Sequence, residues 1–136
     1  MKIATFEDVR KFLSDIPNLD YGGCGISALS MYRWLKKNEK ETSAIILLYR
    51  PAHSGEDVSS YISGPAHCGI EYKGKIIDED EEICLDLYSN WMKIREKGML
   101  NLLNKNNWND RFEREKNIHQ IEERLGINLS DVCLKV

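Results

Sequence analysis

The sequence contains no long apolar run, and this absence excludes the membrane-spanning classes of protein first. No segment approaches the roughly 18 consecutive apolar residues that a transmembrane helix requires. Residues 1–8 carry no apolar stretch behind Lys2, so we expect no secretory signal there. The sequence therefore predicts a cytoplasmic protein without a membrane partner.

An excess of charge of one sign is also missing. The 19 Lys and Arg residues nearly balance the 22 Asp and Glu residues, and the formal net charge is -3. Domains that bind nucleic acid usually carry a clear basic excess, because they must neutralise phosphates. We therefore expect no nucleic-acid partner.

Closely spaced cysteine pairs are lacking as well. Four cysteines are present, but no two form a Cys-x-x-Cys pair, which argues against a zinc knuckle and a thioredoxin motif. In a reducing compartment they are predicted to be thiols. A zinc site made of Cys24, His67, Cys68 and Asp78 is disfavoured, because adjacent strand residues such as His67 and Cys68 point to opposite faces. The sequence predicts neither a metal nor a cofactor.

What the sequence does contain is typical of one globular domain. Its 136 residues are 42% hydrophobic and 30% charged, enough to bury a core without disulfides. Hydrophobic periodicity predicts helices over residues 6–15, 24–37, 85–103 and 109–125, and strands over residues 43–49, 66–72 and 75–78. We expect a single α+β domain over residues 1–136. Residues 1–84 form its core, and residues 85–136 form a helical extension packed on that core.

The dipeptide Lys73-Gly74 predicts a two-residue hairpin turn, in which glycine supplies the positive φ angle. If these two residues are the loop, Tyr72 pairs with Lys75, Asp78 lies opposite Gly69, and His67 lies opposite Asp80. Side chains alternate along a strand, so His67 is predicted to share a face with Asp78 and Asp80.

The most informative segment is the turn that precedes the second predicted helix, Tyr21-Gly22-Gly23-Cys24-Gly25. A catalytic cysteine must reach its thiolate form, which the N-terminus of a helix and a neighbouring histidine both favour. The glycines around Cys24 are expected to let a substrate approach the sulfur and to offer backbone N–H groups to an oxyanion. His67 is the candidate base, and Asp78 or Asp80 the candidate acceptor that orients it.

This pattern resembles the papain-like and transglutaminase-like cysteine hydrolases, including the branch of bacterial cell-wall endopeptidases. The resemblance covers residues 18–80, with Gly23-Cys24-Gly25 opening a helix and His67 opening a strand. It implies a papain-like core, in which a central helix carrying the cysteine packs on a small antiparallel sheet. It also implies that Cys24 is the nucleophile and His67 the base. Asp78 is then the orienter, with Asp80 as the fallback.

The same resemblance implies support for the oxyanion and a class of substrate. Papain-type enzymes place an amide side chain six residues before the cysteine, where this sequence has Asn18, and Tyr21 or the backbone of Gly23 are further candidates. The implied activity is hydrolysis of, or acyl transfer from, an amide or isopeptide bond in a peptide, a protein or a small amide.

Three other interpretations stay open. In the first, Cys24 is a small core residue, as a lone cysteine in a helix often is. In the second, His67 is a structural residue that is hydrogen-bonded in the sheet. The third is a catalytically inactive papain-like scaffold that binds a protein partner as an inhibitor or antagonist. The long predicted loop over residues 50–65 and the helical C-terminal region would then form the partner surface.

Overall fold

The computed structural model describes the chain over seven ranges, which are residues 3–17, 24–39, 44–49, 67–78, 82–83, 91–105 and 114–132. The described helices are α1 (Phe6–Ser14), α2 (Cys24–Asn38), α3 (Glu96–Lys105) and α4 (Arg114–Leu125). The described strands are β1 (Ile45–Tyr49), β2 (His67–Tyr72), β3 (Lys75–Ile77), β4 (Glu82–Ile83) and β5 (Trp91–Ile94). The fold is α+β, as the sequence predicts.

Helix α1 begins with a capping box. The Thr5 hydroxyl accepts a hydrogen bond from the Asp8 amide at 3.2 Å, and the Asp8 carboxylate accepts one from the Thr5 amide at 3.0 Å. The amides of Ala4 and Thr5 hold the pKa of Asp8 below its usual value, because both donate to the charged carboxylate. Thr5 is thus the N-cap of the helix predicted over residues 6–15, and the helix ends at Ser14, one residue before the predicted end.

Helix α2 is the central element of the fold. Every residue of the range 24–31 is buried, and α1, α3, β1 and β2 all pack against this helix. Two of the buried residues are serines, and the Ser30 hydroxyl donates to the Ile26 carbonyl at 2.7 Å, so its desolvation is compensated inside the helix. The predicted buried helix over residues 24–37 is confirmed.

The strands form one antiparallel sheet in the order β4-β3-β2-β1-β5. Its register aligns four isoleucines in a row across four strands: Ile94, Ile46, Ile70 and Ile77. In-register β-branched side chains pack closely on a pleated surface. Ile46, Ile70 and Ile77 are buried in the core, and Ile94 packs against it.

The hairpin between β2 and β3 has the predicted loop and register. Tyr72 pairs with Lys75, and Ile70 pairs with Ile77. Lys73 has a φ of 52° and Gly74 a φ of 77°, the combination of a type I′ turn. The sequence interpretation assigned the positive φ to glycine alone, but the right-handed twist of the strands requires it at both positions.

The region after residue 85 corrects the prediction of one long helix over residues 85–103. Residues 91–94 form β5, which extends the sheet beside β1, and α3 begins only at Glu96. Over so short a segment, apolar residues at 91, 92 and 94 fit both the helical period and the strand period. Pairing with β1, a contact distant in sequence, decides in favour of the strand.

Both C-terminal helices contribute to the same hydrophobic cluster as α1 and α2. The residues they and the following segment supply are Met99, Leu103, Ile118, Ile121, Leu125, Ile127, Leu129 and Val132. Helix α4 ends at Leu125, and Gly126 caps it with a φ of 67° and an amide that donates to the Glu122 carbonyl. The helical region thus helps to build the core around α2.

Candidate active site

Cys24 is the first residue of α2, where the sequence predicts the nucleophile. Its side chain is only 6% exposed and belongs to the hydrophobic core. The first turn of α2 holds no acidic residue, and its last turn holds Lys36 and Lys37. The positive end of the helix dipole lies at the N-terminus, where no acidic residue of the first turn neutralises it, and it favours an anion at the position of Cys24.

Gly25 has a structural role that the sequence did not predict. A Cβ atom on this residue would lie 2.9 Å from Cδ2 of Leu103 and 3.4 Å from Sδ of Met99. Its missing side chain therefore allows α3 to approach the first turn of α2, and this side of the turn faces protein. The sequence interpretation could not find this role, because the contact joins residues far apart in the chain.

The strand that begins with His67 packs against α2. At its far end, the Tyr72 ring packs edge-on against Phe6 with a centroid distance of 5.2 Å, and Phe6 stacks on Trp34 at 6.3 Å. The Tyr72 hydroxyl also donates to Glu39, the residue after the last turn of α2. The end of β2 therefore lies near the C-terminal end of α2.

Helix α2 spans about 21 Å from Cys24 to Asn38, and β2 spans about 17 Å from its first to its last residue. His67 is the first residue of that strand. Cys68 follows it and is buried in the same core as Cys24, and both cysteines carry thiols rather than a disulfide.

Asp78 directly follows β3 and is 4% exposed. It lies one residue beyond the last pair of the β2–β3 ladder, Ile70 with Ile77. Its backbone carbonyl accepts a hydrogen bond of 3.0 Å from Nε of Arg10 in α1. A carboxyl group at such a buried position needs compensating contacts, as an orienting residue or a structural one would have.

The sequence interpretation did not find Arg10. It shares the polar side of α1 with the exposed residues Glu7, Lys11 and Ser14, which in sequence is typical of an ordinary surface arginine. Only the tertiary packing of α1 beside the end of β3 brings its guanidinium to Asp78.

Several predicted site residues lie outside the described part of the chain. These are Asn18, Tyr21, Gly23, Asp80 and the side chain of His67, together with the predicted loop over residues 50–65. Their assignments stay predictions. Within the described ranges, no group of three or more His, Cys, Asp or Glu residues is arranged to hold a metal ion.

A surface groove of about 820 Å³ lies at the other end of α2. Its lining begins at Tyr32, about 12 Å along the helix from Cys24. Arg33 crosses the groove wall, with its guanidinium 2.7 Å from carboxylate oxygens of both Glu96 and Asp131. The hydrogen bonds from Arg33 hold the pKa of Asp131 below its usual value.

The charged side chains that line this groove contact other groups of the protein. Lys37 donates to the Gly126 carbonyl, and Lys36 lies over the Tyr32 ring at 5.3 Å. The contacts of Lys37 and Arg33 attach the segment after α4 to α2, and we do not assign the groove to the chemistry of Cys24.

Among the residues that the structure describes, no helix is long and apolar enough to cross a bilayer. Comparison with known proteins found no family model, no curated protein and no solved structure that matches this chain.

Proposed function

We propose that the protein is a papain-like cysteine hydrolase or acyltransferase of the thiol protease or amidase type, which acts on an amide or isopeptide bond. Cys24 is the nucleophile, His67 the general base and acid, and Asp78 the residue that orients the imidazole. Peptides, proteins and small amides are the substrate class.

The observation that carries the proposal is the position of Cys24 as the first residue of the buried helix α2, a helix that packs against the strand beginning with His67. A helix N-terminus offers backbone N–H groups without intrahelical partners and a positive partial charge. These features stabilise first a thiolate and then the oxyanion that forms when it attacks a carbonyl.

The reaction has two stages. His67 takes the thiol proton, and Sγ of Cys24 attacks the substrate carbonyl carbon to give a tetrahedral oxyanion. This intermediate collapses by breaking the C–N bond, and the amine leaves with the proton from His67. The thioester on Cys24 is then cleaved by water, which completes hydrolysis, or by a second amine, which completes acyl transfer.

Asp78 is the favoured orienter because it is buried directly after β3 and continues the register opposite Gly69, on the face that the sequence predicts it shares with His67. A buried carboxylate that accepts the imidazole N–H fixes the tautomer and stabilises the imidazolium. Asp80 stays the fallback for this role. Asn18, Tyr21 and the Gly23 amide stay candidates for oxyanion support.

The alternative is an inactive papain-like scaffold that binds a protein partner. The observation that favours it is the burial of Cys24, which at 6% exposure shows little surface to a substrate. A nucleophile must be reached by the carbonyl carbon it attacks, whereas a cysteine that only fills the core needs no access.

Alkylation of Cys24 separates the two functions. The protein is exposed briefly to limiting iodoacetamide at pH 6.5, and each cysteine is quantified by peptide mapping and mass spectrometry. An activated pair predicts that Cys24 reacts at least about tenfold faster than Cys68, and that His67→Ala removes about tenfold of that rate. The buried Cys68, at 1% exposure, is the internal reference.

The matched control is His119→Ala, because the His119 side chain is 64% exposed on α4 and distant in sequence from Cys24. It should leave the labelling pattern of the wild type unchanged. Equal and slow labelling of Cys24 and Cys68, with no effect of His67→Ala, would contradict the hydrolase and favour the binding scaffold.

A further inference from the structure

Arg10 connects the first helix to the candidate orienter. Its side chain is 11% exposed, and its Nη1 lies 3.5 Å from the Glu7 carboxylate on the same helix. Nε donates to the backbone carbonyl of Asp78 at 3.0 Å, across a sequence separation of 68 residues. The guanidinium thus contacts Glu7 of its own helix and the backbone of Asp78 after β3.

The carbonyl that Arg10 contacts lies one residue beyond the last pair of the β2–β3 ladder. The β2–β3 ladder ends with the pair Ile70 and Ile77, and Asp78 is already outside regular structure. A buried carbonyl needs a donor, and a charged donor makes a shorter and stronger bond than a neutral one. This contact therefore fixes the backbone from which the Asp78 carboxylate projects.

We infer that Arg10 is a positioning residue for the active site, which acts through Asp78 and does not touch the substrate. The inference rests on the proposed function of Cys24, His67 and Asp78. Orientation of a catalytic group depends on such supporting contacts, because displacements of about half an ångström already weaken catalysis. Loss of Arg10 frees the Asp78 backbone to shift, and His67 then holds the Cys24 thiolate less effectively.

The test is the pH profile of Cys24 alkylation by iodoacetamide between pH 5 and pH 9. In the wild type we expect the rate to stay high well below pH 8.5, about where an ordinary thiol reaches half of its maximum rate. Arg10→Gln should move the midpoint upward by about one pH unit, which lowers the rate at pH 6.5 about tenfold. The control Lys11→Gln removes a positive charge from an exposed position of the same helix and should reproduce the wild-type profile.

A double variant distinguishes positioning from general stabilisation. Asp78→Asn should move the midpoint at least as far as Arg10→Gln, and adding Arg10→Gln to it should move the midpoint no further, because both act through one carboxylate. Additive shifts, or an Arg10→Gln profile that superimposes on the wild type, would overturn the inference.

Circular dichroism establishes that each variant is folded before alkylation. If Arg10→Gln does not fold, Arg10→Lys replaces it, since lysine keeps the charge but has no donor at the Nε position. A smaller shift in the same direction is then expected, and a profile identical to the wild type would overturn the inference.

The same data separate failure of this inference from failure of the proposed function. A wild-type midpoint near about 8.5 that His67→Ala does not change would reject the hydrolase, and the role of Arg10 with it. An activated wild-type profile that Arg10→Gln leaves unchanged would reject the role of Arg10 alone.

Discussion

At the scale of single residues, some side chains of the described part of the chain follow local cap and turn preferences, and others are set by burial in the core. Asp8 closes the cap of α1, and Gly74 and Lys73 adopt the positive φ angles of the hairpin turn. Tyr72 is different, because its phenol is buried in the aromatic contact with Phe6 and donates to Glu39. Burial and that hydrogen bond raise the pKa of Tyr72 to about 12.

The raised pKa of Tyr72 predicts loss of stability at alkaline pH. The unfolded chain ionises Tyr72 at its ordinary value of 10.0, whereas the folded protein does so only near 12. The stabilising contribution is therefore fully present below pH 10 and is lost as the pH rises through 12, by an amount on the order of 2 kcal/mol. In Tyr72→Phe we expect a flatter decline of the free energy of unfolding across this range.

Denaturant unfolding of both proteins at several pH values between 9 and 12 measures this difference. All other ionisable groups are common to both proteins, so their effects cancel in the comparison. Equal slopes for wild type and Tyr72→Phe would show that the Tyr72 phenol does not cause the alkaline loss.

At the scale of elements, the contact between α2 and α3 determines how the candidate nucleophile is held. Gly25 has no side chain where Leu103 and Met99 approach, so the two helices meet next to Cys24. Leu103 and Met99 are nearly fully buried, which leaves them little room to move.

Gly25→Ala tests this contact. Alanine favours the helix by about 1 kcal/mol over glycine, but overpacking against Leu103 costs about 1 to 3 kcal/mol. We expect a net loss of about 1 kcal/mol in the free energy of unfolding, measured by urea denaturation.

The matched background for this test is Leu103→Ala, which removes the clashing methyl group and itself costs about 2 to 5 kcal/mol. In that background Gly25→Ala should become stabilising, because only the helix propensity remains. Destabilisation of equal size in both backgrounds would contradict the close approach of α3.

At the scale of the whole molecule, the chain is held together by contacts between its distant parts. Arg33 of α2 binds Glu96 at the start of α3 and Asp131 after α4, and Nη1 also donates to the Asn128 carbonyl at 2.7 Å. Nη1 and Nη2 of Arg33 donate to the two carboxylate oxygens of Asp131. The Arg33 side chain is 15% exposed, so this bidentate ion pair is stronger than most surface ion pairs.

The Arg33–Asp131 pair predicts an acid-sensitive part of the stability. Hydrogen bonds from Arg33 lower the pKa of Asp131 below its ordinary value of 3.8. A lowered carboxyl pKa contributes stability above the unfolded value, and that contribution is lost as the pH falls below 3.8 through the folded value. Asp131→Asn should lower the free energy of unfolding by about 1 kcal/mol at pH 7, since the carboxylate is half exposed.

The difference between Asp131→Asn and the wild type should shrink on acidification below pH 3.8, as followed by urea denaturation. Glu123→Gln, which changes an exposed carboxylate on α4, is the control and should leave stability nearly unchanged at every pH. A difference that stays constant down to the acid transition would contradict the role of the ion pair.

The elements that the sequence predicted well are those whose signals are local. Helices α1 and α2 follow from their periodicity and the cap at Thr5, and the hairpin register follows from the Lys73-Gly74 turn. Strand β5 was predicted as helix, because a short apolar segment fits both periods until a partner strand is known. Its partner, β1, lies more than 40 residues earlier in the chain.

The sequence by itself determined the α+β class, the position of Cys24 at the start of a buried helix, and the turn that sets β3 against β2. Only the tertiary structure decided that α3 packs on Gly25, that Arg10 holds Asp78, and that Arg33 joins the C-terminal segment to α2. The physical reason is the range of the interactions. Caps, turns and periodicity act within a few residues, whereas the last two contacts join residues 68 and 98 positions apart, which only packing of the core brings together.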